Sequence, residues 1–231
     1  MRTTIVIALI AAGVLAAVPV LADRIIFAPT GTVLGGGEIK AEAAAGNAEG
    51  FDRVYWLGLG LQRLELNAFR LQDRGSRSAA PAGRAAAGSS RFDIGSELVG
   101  EDSLDVVNAE IGVLPETTLT PGIGVGVWDI TNETKDGIGY FVAVSKALPL
   151  TRGIPSPIRD VRVHAGVGVG GIEGFFGGAE ATILLGLRLY AEYFEGDFNF
   201  AVGWKVLPAV QLKAYLLGGD PFVGIQISPP L

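Results

Sequence analysis

From Leu187 to Ile227 the chain is two-faced at every second residue, and this limits the possible folds more than any other feature. Leu187, Leu189, Ala191 and Tyr193 alternate with Arg188, Tyr190 and Glu192. Phe198, Phe200, Val202, Trp204 and Val206 alternate with Asn199, Ala201, Gly203 and Lys205. Val210, Leu212, Ala214 and Leu216 oppose Gln211, Lys213 and Tyr215, and Val223, Ile225 and Ile227 oppose Gly224, Gln226 and Ser228. A period of two puts the two sets on opposite faces of a sheet. The segment therefore reads as four strands joined by three very short turns.

The pattern recurs upstream. Val33, Gly35, Gly37, Ile39, Ala41 and Ala43 alternate with Leu34, Gly36, Glu38, Lys40 and Glu42, which predicts a strand from Val33. The phase slips by one residue at Gln62-Arg63, and a slip within one strand would turn every later side chain to the wrong face. A tight hairpin at Leu61 to Arg63 resolves it. Further alternating runs cover Val107–Val113, Ile123–Val127, Ile138–Leu148, Val161–Val169 and Ala179–Leu185. In Ile138–Leu148 the facing is open, because Lys146 falls in phase with Val142 and Val144. Short, regularly spaced strands, about 12 in all, predict an all-β sandwich or barrel.

The chemistry of the two faces separates these options. One face is aliphatic in nearly every strand. The other is rich in Gly, with single charges at Glu38, Lys40, Glu42, Glu65, Glu110, Arg162, Glu180, Arg188, Glu192, Lys205 and Lys213, and with His164, Asn199, Gln211 and Gln226. A soluble sandwich would crowd its water-facing side with polar residues. Isolated charges among glycines fit a confined interior, where unpaired burial would be costly and acids and bases pair. The expected fold is an antiparallel transmembrane up-and-down β-barrel with those residues lining the lumen. Tyr193 and Phe198 at one end of a hairpin and Trp204 at the other are expected at the two membrane interfaces. Phe198 to Val206 spans roughly 26 Å along a strand, or about 20 Å along the normal at a tilt of ~40°.

Residues 1–22 carry a short basic start, an apolar run from Ile5 to Ala17 and small residues before a predicted cleavage site after Ala22, the form of a secretory signal peptide. The barrel domain is then 23–231, exported to the outer membrane. The chain has no Cys, which excludes disulfides and thiolate metal sites. It holds 34 Gly, about twice the usual share of ~7%. A net charge of −6, with acids and bases spread along the chain, argues against a nucleic-acid partner. Connections after even strands are mostly short, and the longest, residues 72–103, follows an odd strand. Outer-membrane barrels sort their loops this way. The stretch from Gln72 to Ser90, with Arg70, Arg74, Arg77, Arg84 and Arg91 in and around it, reads as a mobile, solvated outer loop, with contact to anionic surface sugars or lipid phosphates as the functional alternative. Phe92 to Val99 is a possible strand extension of it.

Little in the sequence points to catalysis. Gly166-Val-Gly168-Val-Gly170-Gly171 resembles a nucleotide loop, but the alternation runs through it and no helix follows. His164 is the single His and shares the inner face with Arg162. A Ser/His/acid hydrolase built on His164, Ser145 and an inner Glu is formally possible, without any serine motif to support it. No cluster has metal-ligand spacing, and no cofactor is expected.

The stretch LRLYAEYFEGDFNFAVGWKVLPAVQLKAYLLGG resembles the repeating hairpins of bacterial outer-membrane barrels, and most of all the YjbH-like barrels associated with exopolysaccharide production. The likeness covers Leu185 to Ile227. It implies outer-membrane lipids, the barrel-assembly machinery and surface glycans as partners. The leading expectation is a porin-like passage for small solutes or glycans. A non-conducting structural or envelope-assembly barrel is the alternative, ahead of a membrane-embedded hydrolase or a soluble exported β-protein.

Overall fold

The computed structural model describes residues 24–46, 51–72, 103–148 and 157–229. The predicted leader, most of 72–103 and Phe92 to Val99 lie outside the described residues. Twelve strands form: β1 (Ile39–Gly46), β2 (Arg53–Leu61), β3 (Leu64–Gln72), β4 (Ser103–Leu114), β5 (Gly122–Trp128), β6 (Gly139–Leu148), β7 (Ile158–Gly170), β8 (Gly174–Ile183), β9 (Leu187–Phe194), β10 (Asp197–Leu207), β11 (Val210–Leu217) and β12 (Asp220–Ile227). Each pairs antiparallel with its chain neighbours. β1 then pairs with β12, Ala43 opposite Ile225, and closes the barrel. Closure leaves no open strand edge, which an apolar membrane requires.

The turns follow local chemistry. Glu195-Gly196 and Gly218-Gly219 both place two residues at positive φ, the twist that suits a two-residue hairpin. The hairpin predicted at Leu61 to Arg63 is there, with Leu61 opposite Leu64. The strand predicted from Val33 is not. β1 starts at Ile39, and residues 24–38 run through the lumen as an irregular segment. Alternation in that stretch misled because Gly35, Gly36 and Gly37 fit either phase. Their conformational freedom suits a turn, and Gly37 has φ 91°.

The outer surface is apolar. Val125, Val142, Val167, Val169, Leu212 and Ile225 are among its exposed side chains. Lys146 also points outward, at the rim where β1 begins and β12 ends (the terminal end), where its Nζ donates to the carbonyls of Thr117, Thr118 and Thr120. Tyr193 and Phe198 face out near the turn at 195–196, their ring centroids 5.1 Å apart. Trp204 faces out toward the opposite end and is 52% exposed. Tyr55, Tyr140 and Phe175 join Tyr193 and Phe198 near the end that carries the long 72–103 connection. Trp204 is the only described outward aromatic near the other end.

The buried core sits inside the barrel. Toward the loop end, inward rings form a continuous chain: Phe69 to Trp128 at 5.5 Å, Trp128 to Phe194 at 5.3 Å, Phe194 to Phe176 at 6.1 Å and Phe176 to Phe141 at 6.2 Å. Tilted and edge-on rings at such distances pack favourably.

Of the three tryptophans only Trp204 faces outward. Brominated lipid is expected to quench the native fluorescence, and Trp204→Phe is expected to remove that quenching. Undiminished quenching in the variant would mean that the inward assignment of Trp56 and Trp128 is wrong.

Candidate functional site

The side chains of an eight-stranded wall can fill its own interior, but twelve strands enclose more space. Here residues 24–38 take up that space. Ile25, Ile26, Phe27 and Ala28 are all buried. Phe27 stands 5.5 Å from Trp56 and 6.1 Å from Phe69, so the segment joins the aromatic layer.

Three wall side chains hold its backbone. The N–H groups of Ile26, Phe27 and Ala28 all donate to Oε2 of Glu192, at 2.8, 2.8 and 2.7 Å. Consecutive N–H groups converging on one anion form a concave nest. The other Glu192 oxygen accepts from Asn199 Nδ2 at 3.0 Å, and Asn199 Oδ1 accepts from the Gly218 N–H. Further along, Gly31 N–H donates to Ser145 Oγ at 2.7 Å and Leu34 N–H to Glu65 Oε2 at 2.9 Å. Gly35 N–H donates to Glu38, where the segment turns into β1. These bonds give partners to backbone donors that no strand pairs, as buried polar groups require.

The inner-face glycines make room for this plug. An added Cβ at Gly60 would come within 2.0 Å of the Gly35 carbonyl oxygen, and one at Gly58 within 2.8 Å of Leu34. At Gly122 it would meet the Gly31 carbonyl at 2.8 Å, and at Gly178 the Ile25 side chain at 2.8 Å. Gly124 spares the Glu110 carboxylate, 2.0 Å from the same construction.

The sequence-predicted lumen residues divide by position. Glu42, Glu65, Glu110, His164, Glu192, Asn199, Lys213 and Gln226 are buried inside. Lys213 Nζ lies 3.0 Å from Glu42 Oε2 and over the Tyr190 ring at 5.0 Å. Lys40 also points inward and, with Glu42 and Lys213, lines a cavity of about 30 Å³ beside the plug, room for about one water. Glu65, Asn67, Asn108 and the backbone of Asp129 form a hydrogen-bonded ladder across β3, β4 and the end of β5. Near the terminal end, Glu180 lies between Arg162 at 3.9 Å and Arg188 at 3.7 Å, and Arg162 also meets Glu116 at 3.4 Å. Gln211 faces the Tyr190 hydroxyl at 3.5 Å, and Gln226 donates to Ser228. Glu38 belongs to the turn of the plug and not to a strand. Lys205 is exposed at the terminal-end rim, so it does not line the closed part of the lumen.

Ser145 and His164 do meet. Ser145 Oγ is 2.7 Å from His164 Nδ1, and His164 Nε2 is 3.9 Å from Glu180 Oε1, beyond hydrogen-bond reach. Ser145 is fully buried against the plug and its Oγ already accepts the Gly31 N–H. The plug itself and its aromatic contacts were missed from sequence. The available signal was Trp56, Phe69, Trp128, Tyr190 and Tyr215, which are large rings in the polar phase of their strands. On the terminal-end side of the plug a vestibule of about 860 Å³ opens, lined by Gly31, Thr32, Gly36, Arg63, Glu116 and Arg162 among others.

Removing the Glu192 carboxylate leaves three buried donors without a partner, and losing one side of a buried charged interaction costs about 3–5 kcal/mol. Thr30 is buried and close in size to Cys, and the chain has no other thiol. In a Thr30→Cys background, Glu192→Ala is expected to speed labelling by a membrane-impermeant maleimide by about tenfold or more. Equal rates with and without Glu192 would show that it does not hold the plug. Gly60→Ala is expected to produce the same release through steric conflict. A Gly60→Ala protein labelled as slowly as its parent would refute the close approach.

No family model matches the chain, and no curated protein matches it. Among solved structures it is similar to a KdgM porin, at 11% sequence identity and a TM-score of 0.47, over 83% of this chain and 99% of that one. The barrel assignment rests on the strand pairing described above. The apolar outer belt around a polar, charged lumen is the build of an outer-membrane porin-like barrel and is consistent with that location.

Proposed function

We propose that the chain is a gated passage for small solutes or glycans across the outer membrane, closed in the state seen here by residues 24–38. The observation that carries this reading is how the plug is held. It meets the wall through hydrogen bonds to Glu192, Ser145 and Glu65 and through packing of Phe27, and it continues into the wall through Gly37 and Glu38. Its covalent tie to the wall in the described structure is the continuation into β1, and every other contact named is a hydrogen bond or van der Waals packing. The wall behind it closes without it, since all twelve strand pairings involve residues 39–227. Beyond the plug the lumen keeps a charged lining and opens to the vestibule at one end. Outer-membrane lipids against the apolar belt and the assembly machinery that inserts barrels are the partners this reading implies. Surface glycans enter this reading as solutes through the resemblance of the C-terminal hairpins to YjbH-like barrels. The Ser145–His164 pair acts here as a seat for Gly31 and takes no catalytic part.

A second reading has its own support. Among the described residues, the cavity beside the plug that Lys40, Glu42 and Lys213 line is no larger than a water, as in a permanently sealed structural barrel. Planar-bilayer recording separates the two. The intact protein is expected to stay closed with rare openings, and a variant lacking residues 24–36 is expected to conduct steadily. A deletion variant that shows the heat-modifiable gel shift of a folded barrel yet passes no current would overturn the passage in favour of the sealed barrel.

A further inference from the structure

The plug carries one cation into the lumen, Arg24, and its surroundings have the composition of a binding site. The carboxylates of Glu65, Glu110 and Glu192 act on it electrostatically from β3, β4 and β9. Its guanidinium lies over the ring of Trp128, 5.8 Å from the centroid. An aromatic face backed by carboxylates is the setting that holds guanidinium and ammonium groups. Glu65 and Glu110 are also direct register partners on adjacent strands, both pointing inward. Like charges directly opposite each other are unfavourable, and a cation beside the pair relieves that repulsion.

The hydrogen bonding shows a seat that is not saturated. Glu110 is 4% exposed, and its Oε1 has no hydrogen-bond partner among the described residues. Arg24 Nε and Nη1 are buried and likewise without one. Glu65 and Glu192, by contrast, are occupied by Leu34, Asn67, Asn199 and the plug N–H groups. Among the other described acids of the lumen, Glu42 meets Lys213 through Oε2, although its Oε1 is also without a partner, and Glu180 lies between Arg162 and Arg188. If the plug left, the acids around Trp128 would lose the charge that now balances them.

We propose that Trp128, Glu65, Glu110 and Glu192 form an organic-cation site in the lumen wall, filled at rest by the plug's own Arg24 and open to a guanidinium- or ammonium-bearing solute that competes with it. The plug is thus an internal ligand, and a cationic solute favours the open lumen by taking its seat. This rests on the reading of residues 24–38 as a displaceable plug.

The test uses the full protein in detergent or liposomes, with Thr30→Cys as reporter and low-millimolar methylguanidinium as probe, against KCl at equal ionic strength. With Arg24 present, methylguanidinium competes and is expected to speed maleimide labelling severalfold. Arg24→Ala is expected to raise the basal rate about tenfold, and there methylguanidinium fills the vacancy and slows labelling. Adding Glu110→Gln is expected to shrink both effects. A change of the same sign in both backgrounds indicates general loosening and overturns the site, as does no change in either or an unaltered basal rate in Arg24→Ala. If Arg24→Ala fails the heat-modifiability check, Arg24→Lys replaces it. That variant keeps a cation in place and should label close to the parent rate and still respond to competition; loss of the response would count against the site. Labelling does not read current. A deletion variant that conducts while methylguanidinium has no effect leaves the passage standing and removes the cation site. Opposite-signed labelling effects with no current from the deletion do the reverse.

Discussion

One carboxylate holds the interior together. Oε2 of Glu192 receives three successive backbone N–H groups from the plug, and its other oxygen is fixed by Asn199. A buried charge survives in a protein only when it is paired or saturated with hydrogen bonds. A bent, unpaired stretch of backbone survives there only when its donors are satisfied. Each solves the other's problem. With the plug gone, Glu192 would be a bare charge facing a water-filled lumen. Without Glu192, the plug would bury three donors among aromatic rings.

The rest of the interior is arranged around this contact in layers. At the loop end the chain of rings from Phe69 to Phe141 excludes water, and Phe27 locks the plug to it. In the middle lie the charges, each acid near a base or a backbone donor. Toward the terminal end the plug turns at Gly37 into β1 and the vestibule opens. The inner glycines gain their meaning from this arrangement. Gly58, Gly60, Gly122 and Gly178 stand where a side chain would strike the plug. The outer face needs no such fitting, since hydrocarbon conforms to any apolar relief.

The barrel was legible because a period of two, repeated in nearly every strand, has few physical solutions once one face is aliphatic and the other sparsely charged. The inward placement of Glu42, Glu192 and Lys213 followed from phase alone. The plug was not legible in the same way. Residues 33–43 alternate without a break, and nothing local distinguishes a wall strand from a lumen segment that turns at glycine. Ile25 to Ala28 are a short apolar run with no alternation, and only the three-dimensional convergence on Glu192 gives them a role. The meeting of Ser145 and His164 followed from two inward positions on neighbouring strands. That Gly31 would share the serine oxygen depends on contacts far apart in the chain.

The central claim is that residues 24–38 occupy the lumen of the folded barrel, and amide hydrogen exchange of the intact protein in detergent tests it most directly. The amides of Ile26, Phe27 and Ala28 are predicted to exchange as slowly as those of the neighbouring strands β3 and β9. Exchange at these three amides as fast as in an unstructured chain, while the strands remain protected, would contradict the account.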